Sequence, residues 1–97
     1  MLILDFHPDI FLEVHDSYIW YESKFNGLGD DFLKELDSAF SSIHEMPDTW
    51  PLISKNLRRY LLKRFPFGVI YSIKRDNIFI VAIMHLSRKP GYWLKRT

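Results

Sequence analysis

Apolar positions change their spacing halfway along this chain. In the first half, Phe11, Val14, Tyr18, Tyr21 and Phe25 recur at intervals of three and four, the repeat that lines one face of an α-helix. His7-Pro8-Asp9 opens that helix: proline suits its first turn, Asp9 meets its positive end, and His7 takes the cap position. Asn26-Gly27-Leu28-Gly29 ends it. A second helix is predicted from about Asp30, with Asp30 and Asp31 at its N-terminus, an apolar stripe of Phe32, Leu36, Phe40 and Ile43, and a stop at Pro47. So short a connection makes the two helices an antiparallel pair.

After Pro51 the grammar becomes that of strands. Leu57–Arg64, Phe67–Lys74 and Ile78–Leu86 are rich in branched and aromatic residues. Phe65-Pro66 separates the first two, and Arg75-Asp76-Asn77 supplies a tight turn before the third. The third is apolar on both faces, which predicts a central or doubly covered strand. Met1–Phe6 reads as a short strand and Arg88–Thr97 as a tail ending in a helical turn. The pattern predicts one α+β domain over residues 1–97: an N-terminal strand, an antiparallel helical hairpin, then a three-stranded antiparallel meander. The hairpin covers one face of the sheet, and the other is left exposed or waiting for a partner.

Charge sharpens the picture, because the net +1 hides a split. Residues 1–54 hold eleven carboxylates against Lys24 and Lys34, a balance of −9, and residues 55–97 hold eleven cations against Asp76, a balance of +10. The expectation is that cations of the sheet and tail converge on one exposed patch, opposite the helices, and meet an anion: nucleic acid or an acidic protein. There is no cysteine, so disulfides and thiolate metal sites are excluded. The N-terminus lacks a signal-like pattern, and the longest apolar run, Ile78–Met84, is far short of a membrane span. A soluble, cytoplasmic protein is expected.

Two stretches carry candidate chemistry. In Leu57–Arg64, strand alternation puts Arg58 and Arg64 on one face and Arg59 and Lys63 on the other. Such a strand either grips phosphate through its guanidinium groups or is a charged edge kept from aggregating. In the segment from His85 to Trp93, a histidine stands beside Arg88, Lys89, Tyr92 and Trp93. Proton transfer by His85 with Arg88 stabilising phosphate charge would suit RNA cleavage. The alternative is a structural strand-end histidine with aromatics packing the tail onto the core. His7, His15 and His44 show no metal spacing, and no nucleophile elbow or glycine-rich phosphate loop occurs. No metal or cofactor is expected.

Taken in order, Trp20-Tyr21-Glu22, Gly27-Leu28-Gly29, Phe32, Ile43, Pro47, Pro51, Arg58-Arg59, Phe65-Pro66-Phe67, Tyr71 and the run His85-x-x-Arg88-x-Pro90-x-Tyr92-Trp93-x-x-Arg96 make the chain resemble the RelE/ParE superfamily of toxins from bacterial toxin–antitoxin systems. The resemblance implies a microbial RNase-like α+β fold. It also implies a cognate antitoxin whose acidic, partly disordered C-terminal segment wraps the toxin and covers basic surface. RelE-type members cut messenger RNA on the ribosome without metal, whereas ParE-type members inhibit DNA gyrase. The RelE type usually carries an arginine just before the apolar-apolar-Tyr stretch of the middle strand, and here Gly68 precedes Val69-Ile70-Tyr71. The helical pair and Trp20-Tyr21-Glu22 also look closer to the ParE type, so the resemblance implies a ParE-like toxin acting by binding. Its target contacts would come from Arg58, Arg59, Lys63, Arg64, Lys89, Trp93, Lys95 and Arg96. A RelE-like ribonuclease would instead use His85, Arg88 and Tyr92, and a non-toxic binding module of the same fold is a third reading.

Overall fold

The computed structural model describes residues 2–88 and 91–96. Strand β1 (Ile3–Phe6) leads into helix α1 (Ile10–Lys24) and helix α2 (Leu28–Glu45), followed by β2 (Arg58–Leu61), β3 (Phe67–Ile73), β4 (Asn77–His85) and a 3₁₀ turn, Tyr92–Arg96. The α+β order read from the sequence is present. The sheet order is β1-β4-β3-β2. Strands β2, β3 and β4 form the antiparallel meander, and β1 adds in parallel, Ile3 opposite Asn77, which makes β4 central.

The helix boundaries follow from who satisfies their free N–H groups. The N-cap of α1 is Asp9, with no side-chain cap bond, and not His7 as expected; His7 lies two residues earlier, its Nδ1 accepting the Asp9 N–H at 3.1 Å and its carbonyl that of Ile10. Glu22 reaches past the end of α1 and accepts the N–H groups of Gly27 and Gly29, so one side chain ties both helices at the hairpin. Gly27 has φ +90°, which a glycine adopts without penalty. A Cβ on Gly29 would lie 2.8 Å from both the ring and the carbonyl of Tyr18, so this residue sets how closely the helices approach.

One core lies between the helices and the sheet. Tyr21, Phe32, Phe65 and Phe67 form its aromatic centre, with Tyr21–Phe65 centroids 4.9 Å and Phe32–Phe67 centroids 5.0 Å apart, joined by Leu36, Ile43, Val69, Tyr71, Ile78, Ile80 and Ile83. The buried side of α1 runs through Ile10, Val14, Ser17 and Tyr21. Phe11 and Phe25, expected in the core, are each 72% exposed. Phe11 sits about 100° around the helix from Ile10, and Phe25 falls beyond the last turn, where the backbone is already extended.

The opposite face of the sheet is not open. Trp93 and Tyr92 of the 3₁₀ turn and Ile53 and Leu57 of the loop before β2 close it, packing with Ile70, Phe79, Val81, Ala82 and Met84 in a second core. The register shift between β3 and β4 at Ile70/Tyr71 leaves Val81 without an opposite residue and returns Ile83 to the helix side.

Gly29→Ala is expected to destabilise the fold by a net of roughly 1–2 kcal/mol, because overpacking against the Tyr18 backbone outweighs the gain in helix propensity. A lower denaturant midpoint with an unchanged slope is the outcome to look for, and a midpoint at or above wild type would refute the close-approach account.

Candidate functional site

Strand β4 runs further than β1 can follow. Pairing between them ends at Ile80, with the His7 N–H on the Ile80 carbonyl. Beyond that point side chains serve the edge of β4. Glu13 Oε1 accepts the Ile83 N–H at 3.0 Å, Arg96 Nη1 donates to the Val81 carbonyl at 3.1 Å, and the Tyr92 hydroxyl lies 3.5 Å from the Ile83 carbonyl. The same three residues bind one another. Tyr92 donates to Glu13 Oε2 at 3.0 Å, and Arg96 Nη2 stands 3.0 Å from Glu13 Oε2 and 3.6 Å from Asp9 Oδ2. The side chains of Glu13 and Arg96 are only 12% and 13% exposed, so this ion pair is desolvated and geometrically constrained.

Beside this network a cleft of about 510 Å³ opens between α1 and the sheet. Its helix wall carries Asp9, Leu12, Asp16 and Trp20, and its sheet and tail wall carries Phe67, Ile83, His85, Arg88 and Arg96. Trp20 is 56% exposed, and Leu12 and Ile19 on the outward side of α1 are also exposed. The cleft therefore joins an acidic, apolar helix surface to a strand end bearing cations.

The three residues tied to RNA cleavage gather here but are already engaged. His85 packs edge-on against Phe67, its Nδ1 accepting the Ser87 N–H at 3.1 Å and lying 2.7 Å from Ser87 Oγ. The Arg88 guanidinium covers the Tyr92 ring at 3.8 Å, and Arg96 lies 5.1 Å from the same ring. Burial pushes the Tyr92 hydroxyl up to about 12, and the charge and hydrogen bond of Glu13 act in the same direction against the pull of the two arginines.

The other candidate residues lie apart. Arg58 donates to the carbonyls of Asp48 and Trp50 at 3.1 and 2.7 Å and faces the Asp48 carboxylate. Arg59, on the opposite face, runs its stem across Gly68, where a Cβ would meet it at 3.1 Å; its Nε is buried without a hydrogen-bond partner among the described residues. Lys63 and Arg64 are exposed at the end of β2, their backbone N–H groups held by Glu35, with Arg64 3.5 Å from Asp31. Trp93 is buried in the second core and Lys95 is exposed. Lys89 lies outside the described residues. The cations thus spread over several places rather than forming one exposed patch, and Arg58, Arg64 and Arg96 face acids of the chain itself.

Sequence reading missed Glu13 and gave Asp9 only the role of meeting the positive end of the first helix. The spacing of Tyr92 and Arg96, four apart, is the one signal that they share a side; nothing local indicates that the acid they meet lies near the other end of the chain. Among the described residues no group of three or more His, Asp or Glu is placed to hold a metal, and no helix is long and apolar enough to cross a membrane.

Residues 11–90 match the family described as the ParE toxin of the type II toxin–antitoxin system parDE. Among solved structures, a chain of the chromosomal ParDE toxin–antitoxin system from P. aeruginosa is similar with a TM-score of 0.68 and 17% identity, over 90% of this chain and 98% of that one. No curated protein matches.

Tyr71, whose hydroxyl donates to the Pro47 carbonyl at 2.6 Å, is also pushed up to about 12 by burial. The folded state keeps both protons after the unfolded chain has lost them at the ordinary value of 10.0, so this stability is whole below pH 10 and lost as pH rises towards 12. Ultraviolet titration is expected to show two of the five tyrosines ionising last, near pH 12. Tyr92→Phe should remove one of these late steps; an unchanged titration curve would contradict the assignment.

Proposed function

The chain belongs to the ParE toxin family of type II toxin–antitoxin systems, and on that premise we propose that it arrests growth by binding DNA gyrase in the cytoplasm and is neutralised by a cognate antitoxin. The observation that carries binding over cleavage is the engagement of the candidate cleavage residues. A tyrosine that stacks on a nucleotide needs a free ring face, and one that orients it by a hydrogen bond needs a free hydroxyl. Here Arg88 lies over the Tyr92 ring, and the hydroxyl is bonded to Glu13. Gly68, under the stem of Arg59, stands where a RelE-type arginine would be expected.

The exposed apolar residues of α1 support a protein partner. Leu12, Ile19 and Trp20 lie on one helix surface, two of them on the cleft. An antitoxin segment that orders on binding would cover such a surface. Its acidic residues would meet the exposed cations Arg88 and Lys95. Ribosome-dependent cleavage is the second reading, favoured by the joint presence of His85 and Arg88 on one cleft.

Inducing the chain without an antitoxin, while replication and translation are followed separately, tests the proposal. Early loss of replication, DNA-damage signalling and gyrase trapped on DNA are expected, with translation failing later. Collapsed translation with replication intact would overturn the gyrase reading. In that event A-site cuts on programmed ribosomes, abolished by His85→Ala with Arg88→Ala, would establish the second reading.

A further inference from the structure

The 3₁₀ turn at the C-terminus is fixed at two points. Trp93 enters the second core, while the Tyr92 hydroxyl and the Arg96 guanidinium, four residues apart, reach a single carboxylate on α1. With those three turned inward, Leu94 and Lys95 are exposed, and exposed Arg88 lies against the Tyr92 ring. The outward surface of the tail is thus selected by what its inward residues hold.

We infer that Glu13 is a positioning residue for the toxin's contact with its target: it touches no target itself, but by holding Tyr92 and Arg96 it determines which tail side chains face outward. The inference rests on the proposed binding of a protein target and on the expectation, carried by the resemblance, that tail residues such as Lys95 meet it. Three observations support it. Among the described residues Glu13 alone joins the edge of β4, the Tyr92 hydroxyl and the Arg96 guanidinium, using both carboxylate oxygens. Asp9, the other acid near Arg96, is longer at 3.6 Å and 60% exposed, so it is a poor substitute. The Arg96 side chain, 13% exposed, would be left buried with its main counter-charge gone if Glu13 were neutralised, which favours freeing the Arg96 end of the tail.

The test compares Glu13→Gln, Arg96→Met and the double variant. Glutamine keeps the length and an oxygen for the Ile83 N–H, so cooperative unfolding should persist. Each single variant should need about tenfold more inducer, or greater, to arrest growth, and the double variant should be no worse than either single, because both changes release the same clamp. Carboxypeptidase should trim the tail faster in all three. In Glu13→Gln, Tyr92 should ionise at lower pH, since a negative charge and an acceptor are lost while Arg88 and Arg96 remain; Tyr71 serves as the unmoved reference.

Full toxicity of Glu13→Gln overturns the inference, as do multiplying losses in the double variant, which would mark Glu13 as a direct target contact. A wild-type chain that never arrests growth overturns the proposed function instead. The clamp is then decided by tail trimming and the Tyr92 titration alone: no change in either removes Glu13 from the role.

Discussion

A nine-residue central strand beside a four-residue neighbour leaves backbone groups that no ladder can satisfy. Burying such groups unpaired costs about 1–3 kcal/mol each, and the chain meets the demand with side chains drawn from its two ends. Glu13 and Arg96 serve Ile83 and Val81 and bond to each other in doing so. The position of α1, the closure of the second sheet face and the wall of the cleft all depend on that arrangement.

The segregated charge of the sequence acquires a different meaning in this light. Every lysine or arginine ion pair among the described residues joins the acidic half to the basic half: Arg58 with Asp48, Arg64 with Asp31, and Arg96 with Asp9 and Glu13. Three of the eleven cations of the later half are thus used inside the molecule, to hold late segments against early ones. What remains outward beside the cleft is a mixed surface, acidic and apolar along α1, with Arg88 and Lys95 near the tail, while Lys55, Lys63, Lys74 and Arg75 are exposed elsewhere.

The elements were legible because their signals are local. Phe32, Leu36 and Ile43 mark the buried side of α2 by spacing alone, and β4 announces its central place by being apolar from Ile78 to Met84. The face of α1 was harder, since apolar residues occur all round it and Phe11 and Trp20 compete with Ile10 and Tyr21 for the inside. The closed second face was not legible, because whether Trp93 folds back depends on a helix carboxylate some eighty positions away in the chain. For the same reason the sequence drew the cations together by type, whereas the structure separates Arg58 from Arg59 by strand alternation and turns Arg96 inward.

The parallel pairing of β1 with β4 carries a temporal consequence. Ile3 faces Asn77, so the first strand of the described fold is matched to its last, which is made much later. The helical hairpin, tied by Glu22 across a handful of residues, closes early, because its contacts span little of the chain. Until Asn77 and its successors emerge, Ile3, Leu4 and Phe6 have no strand to join. Synthesis therefore passes through a stage in which the hairpin precedes the strand that its N-terminal neighbour needs, and the sheet is sealed only once β4 has been made.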